Sequence, residues 1–104
     1  MSMYTKQPGL LRKDFSWQQS NAIIEDGIAR LGQRYVINVS YERSPIESRR
    51  IDTATVNGDF FTVVLRYVPR DGKIKAAVRA ELTPKENTDS EKIRELEEVV
   101  RTAI

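Results

Sequence analysis

The sequence predicts an α+β domain, with an N-terminal helix, a four-stranded antiparallel meander and a C-terminal amphipathic helix. Three observations predict it. Apolar residues recur at helical spacing near both ends of the chain. Between them, four stretches alternate with a period of two or run apolar on both faces. Asn57-Gly58 and the Pro-Arg-Asp-Gly stretch at 69–72 supply turn chemistry between those stretches.

Residues 1–13 read as a flexible polar tail broken by Pro8-Gly9, and 14–104 as a single domain. Ser16 with Gln19 three positions on is a capping box, which opens a helix over about 16–31. Trp17, Ile24, Ile28 and Leu31 share one face of it, and Gly32 is placed for a left-handed C-terminal cap. Gly27 costs roughly 1 kcal/mol relative to alanine inside a helix, which points to close packing against the sheet. Tyr35, Ile37, Val39 and Tyr41 then alternate with Val36, Asn38 and Ser40, the pattern of a half-buried strand.

A second strand is expected over about 49–56, a third through Phe60–Val68, and a fourth in KIKAAVRAEL. With 69–72 as the turn, Arg66 opposes Lys75. Phe61, Val63, Leu65 and Tyr67 then join Ile74, Val78, Ala80 and Leu82 on a core face. Phe60, Val64, Arg66, Val68, Lys73, Lys75 and Arg79 fall on the opposite face, a basic stripe with apolar inserts. A one-residue slip would turn every side chain over. A three-residue loop at 57–59 with a glycine bulge is therefore expected, carrying Ile51 inward with Thr53 and Thr55 in line. Thr88 and Glu91 form a second capping box, and Ile93, Leu96, Val99, Val100 and Ala103 make one apolar stripe. That stripe packs on the sheet or on a second copy of the chain, so a homodimer stays open.

Composition narrows the chemistry. A chain of 104 residues buries roughly two-thirds of its unfolded surface, enough for a core without staples. It has no cysteine and no histidine, which excludes disulfides, thiolate metal sites, thiol nucleophiles and the usual neutral-pH proton carrier. No motif for a nucleophile elbow or a phosphate-binding loop is present, so the expectation is a non-enzymatic protein with no catalytic residues, metal or cofactor. No apolar run reaches the ~18 residues of a membrane span. The N-terminus lacks a hydrophobic signal core, so a cytoplasmic protein without a membrane partner is expected. Residues 1–80 carry 13 Lys/Arg against eight Asp/Glu, and residues 81–104 carry four against seven. A basic body ahead of an acidic helix suits an anionic partner; ordinary solubilising charge is the plainer reading.

Two constellations qualify as sites. The first is the outer sheet face, where Arg66, Lys73, Lys75 and Arg79 surround Phe60: cations for phosphate and an aromatic for stacking. A helix or a second copy covering that face is the competing explanation. The second is the stretch ERSPIESRR, which offers Arg43, Arg49 and Arg50 to phosphate or carboxylate while Glu42 and Glu47 neutralise part of the charge.

From Gln33 to Leu82, the succession RYVINVSYERSPIESRRID, NGDFFTVVLRY and DGKIKAAVRAEL resembles the strand order of WYL domains, small SH3-like barrels of bacterial and phage regulators. The Trp-Tyr-Leu triplet itself is absent, and Thr53 stands where the family has proline. The resemblance implies a meander curled into a small barrel, with Arg50, Phe60, Phe61 and Arg79 near ligand-facing or signature positions. The expected function is a small regulatory protein that binds nucleic acid or another anionic ligand through the sheet face and arginine-rich loop. The alternative is a protein–protein module that self-associates or binds a protein through the same face or the C-terminal helix.

Overall fold

A computed structural model gives the fold and describes residues 2–6, 17–69 and 76–104. The order is β1 (Ser2–Lys6), α1 (Trp17–Arg34), β2 (Asn38–Arg43), β3 (Ile51–Asn57), β4 (Phe61–Val68), β5 (Ala77–Pro84) and α2 (Ser90–Ala103). The strands form one antiparallel sheet in the order β1-β5-β4-β3-β2. The fold is therefore α+β. Among the described residues no ladder joins β1 to β2, so the sheet is open with these two strands at its edges.

Both helices lie on one side of the sheet. α1 touches β3, β4 and β5, α2 touches β1 and β5, and the helices touch each other. Ala54, Val56, Phe61, Val63, Leu65, Ala80 and Leu82 point toward them and are fully buried, with Ile24, Leu31, Leu96 and Val100 on the helix side. Gly27 is where the elements come closest: a Cβ there would lie 2.8 Å from Ile104 Cδ1 and 3.6 Å from Leu65 Cδ1. The close packing expected at this glycine is found, chiefly against the C-terminal isoleucine.

Several local expectations change. Part of the expected tail, Ser2–Lys6, is a fifth strand, pairing with β5 from Ser2 opposite Leu82 to Lys6 opposite Val78. Tyr4 anchors it: its hydroxyl donates to Glu97 Oε2 at 3.0 Å, and Arg101 stacks 5.9 Å from the ring centroid. α1 does not stop at Gly32, because the Tyr35 amide donates to the Leu31 carbonyl and carries the helix one turn further. Ser16, the expected cap, lies outside the described residues. At α2 the cap moves by one residue. Asp89 accepts from the Glu91 amide at 3.0 Å, and the Thr88 hydroxyl turns back to the Lys85 carbonyl.

The strand faces of β4 and β5 are as expected, but the register is not. Arg66 opposes Arg79 rather than Lys75, and Val68 opposes Ala77. An even shift of this kind leaves every side chain on its own face. On β3 the faces reverse: Ala54 and Val56 point inward, and Thr53 and Thr55 point outward. The turn into β4 spans residues 58–61, since Asn57 opposes Thr62 and the Gly58 amide donates to the Phe61 carbonyl. Ile51 is still buried, by another device. Glu42 opposes Thr53 and Arg43 opposes Ile51, so Asp52 is an extra residue, a bulge that turns Ile51 into the core.

Candidate anion-binding site

The face away from the helices can be read row by row from the ladder. One row crosses the sheet as Thr5, Arg79, Arg66, Thr53 and Glu42. The next reads Met3, Glu81, Val64, Thr55 and Ser40, and a third holds Thr83, Thr62, Asn57 and Asn38. Among the described residues no helix or strand packs on this face. Past Glu81 and Val64 at its middle, the face carries hydroxyls and amides, which donate to phosphate oxygens as readily as to water.

Arg66 and Arg79 are directly opposed cations. Both are exposed, and among the described residues neither makes an ion pair. Like charges at opposed positions destabilise a sheet. A bound anion between them would convert that repulsion into two attractions.

Beyond Arg66 the surface dips. A pocket of about 260 Å³ is lined by Arg50, Asp52, Thr53, Arg66, Tyr67 and Pro69. It sits where β3 begins and β4 ends, and the bulge at Asp52 shapes its wall. Arg50 Nε donates to Asp52 Oδ1 at 2.7 Å, and its guanidinium stacks 5.2 Å from the Tyr67 ring centroid. Both partners of the ion pair keep about 30 % exposure: 28 % for the Arg50 side chain and 31 % for Asp52. The hydrogen bond to Asp52 raises the Arg50 pKa further, and burial raises that of the Tyr67 phenol. The arginine is thus charged at any working pH, and its planar fork is held in one orientation.

The loop that delivers Arg50 is built. Ser44 is buried, and its hydroxyl accepts from the Ile46 and Glu47 amides, both at 3.1 Å. The Ser44 amide donates to the Arg50 carbonyl, and the Arg50 amide to Glu47. Asn21 of α1 staples the loop end: its Nδ2 donates to the Arg49 carbonyl at 2.8 Å, and its Oδ1 accepts from the Ile51 amide at 2.9 Å.

The other expected site residues disperse. Arg49 pairs with Glu47 at 3.2 Å and stacks on Trp17; its hydrogen bond lowers the Glu47 pKa. Arg43 stacks on Tyr41 and donates to the Arg49 carbonyl, so the loop arginines do not converge on one ligand. Phe60 leaves the outer face altogether. It packs edge-on against Tyr35 and Phe61, with centroids 5.7 and 5.1 Å away, and Lys92 of α2 lies over its ring. The cause is the turn at 58–61, which places Phe60 before the ladder begins and so outside its alternation. Lys73 and Lys75 lie outside the described residues.

What comes together is therefore Arg79, Arg66 and Arg50, with Thr53, Tyr67 and Asp52 added. Sequence reasoning passed over these last three because a lone threonine, a strand-end tyrosine and a single aspartate carry no spacing signal. Among the described residues no group of acidic side chains is disposed to hold a metal ion, and no helix is long and apolar enough to cross a membrane. Comparison with known proteins finds no matching family model, curated protein or solved structure.

Proposed function

We propose that the chain is a small non-enzymatic regulatory module that binds an anionic partner, with nucleic acid the leading class, on the open face of its sheet. The observation that carries this is the Arg66–Arg79 pair, two exposed cations set directly opposite each other without a counter-ion among the described residues. Thr5 and Thr53 flank the pair in its row, and Arg50 lines the pocket that the row meets at Thr53. The test is fluorescence anisotropy of a dye-labelled single-stranded oligonucleotide across a salt series. Three phosphate contacts predict a log–log slope of about −2. The double variant Arg66→Glu, Arg79→Glu is expected to lose binding. A flat salt response, or full binding by that variant, would overturn the reading.

A second reading is favoured by one specific feature. Val36, Tyr41 and Ile46, at 84 %, 46 % and 93 % exposure, all lie in or beside the free edge strand β2 and its following loop. An ordered loop that holds an isoleucine in water suits a protein partner or a second copy. Apolar association of that kind strengthens or holds steady as salt rises, which separates the two readings in the same titration.

A further inference from the structure

The row that carries the arginines is not symmetric, and its two ends say what kind of anion fits it. From the β5 side it runs Arg79, Arg66, Thr53, with steps between neighbouring strands of about 4.8 Å. At Thr53 it meets the pocket that adds Arg50. One strand further on, at the sheet edge, stands Glu42, exposed and opposite Thr53. Asp52 forms part of the pocket wall on the same side. A polyanion laid along Arg79 and Arg66 thus finds a third cation at the pocket and then carboxylates. Continuing past it would carry a phosphate toward Glu42, where repulsion replaces attraction.

The face also offers little to a base. Among the described residues, the outward positions of the five strands hold no aromatic side chain. The Tyr67 ring in the pocket already has a guanidinium on it. Recognition here is of charge and of donors, without stacking.

We infer that this track ends in a terminal-phosphate site: the pocket takes the phosphoryl end of a short anionic chain, and Arg66 and Arg79 hold the next one or two charges. The inference rests on the proposed anionic partner and names its class, a phosphate-terminated chain recognised at its end rather than along its length. Arg50 supplies the pocket's cation, held in place by Asp52 Oδ1 and the Tyr67 ring. Thr53 also lines the pocket and brings a hydroxyl, a further donor, to it. Arg66 bridges the pocket and the row.

The experiment uses the full chain and three kinds of probe in an anisotropy competition at fixed salt. They are inorganic tripolyphosphate, single-stranded hexamers of one sequence with a terminal phosphate or hydroxyl at each end, and hydroxyl-ended strands of increasing length. A terminal phosphate is expected to tighten binding at least tenfold, and tripolyphosphate to compete as well as the phosphorylated hexamer. Lengthening a hydroxyl-ended strand is expected to add no more than the statistical gain in sites. Arg50→Gln is expected to erase the advantage of the terminal phosphate. That advantage is a ratio measured within one variant, so it is insensitive to a partial loss of folded protein. Glu42→Gln, at an exposed edge, is expected to let longer strands gain affinity. Equal binding of phosphate-ended and hydroxyl-ended strands, still dependent on Arg66 and Arg79, would overturn the end site and leave the anion-binding face standing. Binding by none of the probes would overturn both.

Discussion

Arg66 of β4 and Arg79 of β5 are directly opposed in the ladder, both outward and both exposed. A sheet selected for stability alone would place unlike charges or a Thr–Thr pair there, as it does two rows away at Thr62 and Thr83. Replacing either arginine by threonine should therefore raise the melting temperature, by about 1–3 °C at low ionic strength, and the gain should shrink with added salt. The same substitution should weaken polyanion binding. Thermal denaturation and anisotropy on one pair of proteins check both signs. A fall in melting temperature would mean that the two guanidinium groups are not in repulsion.

The bulge at Asp52 makes a prediction for neighbouring residues. Ile51 is fully buried, so Ile51→Asp should unfold the domain by placing an unpaired carboxylate in the core. Asp52→Ala should cost about 1 kcal/mol or less, because the Arg50–Asp52 pair is about 30 % exposed and solvent screens it. Its effect on binding should be the opposite of a loss. Removing Asp52, the only carboxylate among the described residues that line the pocket, should tighten polyanion binding about threefold to tenfold. Unchanged affinity would show that no anion enters there.

Asn21 is the staple between α1 and the arginine loop. Asn21→Ala leaves the partly buried Ile51 amide and the Arg49 carbonyl without their side-chain partner, a cost of about 1–3 kcal/mol in urea unfolding. Hydrogen exchange at the Ile51 amide should accelerate ahead of the other β3 amides. If exchange at Ile51 is unchanged, the loop is held by its internal Ser44 bonds alone.

Alkaline stability follows from three phenols. Burial is the first cause that raises the pKa of Tyr4, Tyr35 and Tyr67 above the ordinary value of 10.0, and for Tyr4 the hydrogen bond to Glu97 adds to it. A group whose folded pKa is raised contributes stability that is fully present below its unfolded pKa and lost as pH rises through the folded one. The melting temperature should thus begin to fall above about pH 10, and Tyr4→Phe should blunt that fall. A decline that begins near neutrality would have to come from other groups, since the chain has no histidine.

The sequence carried the architecture because helix stripes and strand alternation are local signals. Ile24 and Leu31, or Val63 and Leu65, report their faces without knowledge of their partners. It also placed Arg66 and Arg79 together on the outer face, since alternation fixes parity. Register was less legible. Whether Arg66 meets Lys75 or Arg79 depends on the length of a connection whose turn residues suit several lengths. The Asp52 bulge arises between β3 and its neighbour β2, and either side of Ile51 is compatible with the local pattern. β1 is the clearest case. Five residues with a single tyrosine become a strand only because the β5 edge and Glu97 of α2, at the other end of the chain, receive them.

The most direct test of the outer face as the binding surface is a residue-resolved NMR titration of the full chain with tripolyphosphate. The account predicts that amide shifts concentrate at Arg50, Thr53, Arg66 and Arg79 and fade toward Asn38 and Thr83, with α2 and the Ile46 loop tip unmoved. Shifts centred on α2, or on Tyr41 and Ile46 with Arg66 and Arg79 silent, would contradict it and move the site to the helices or to the β2 edge.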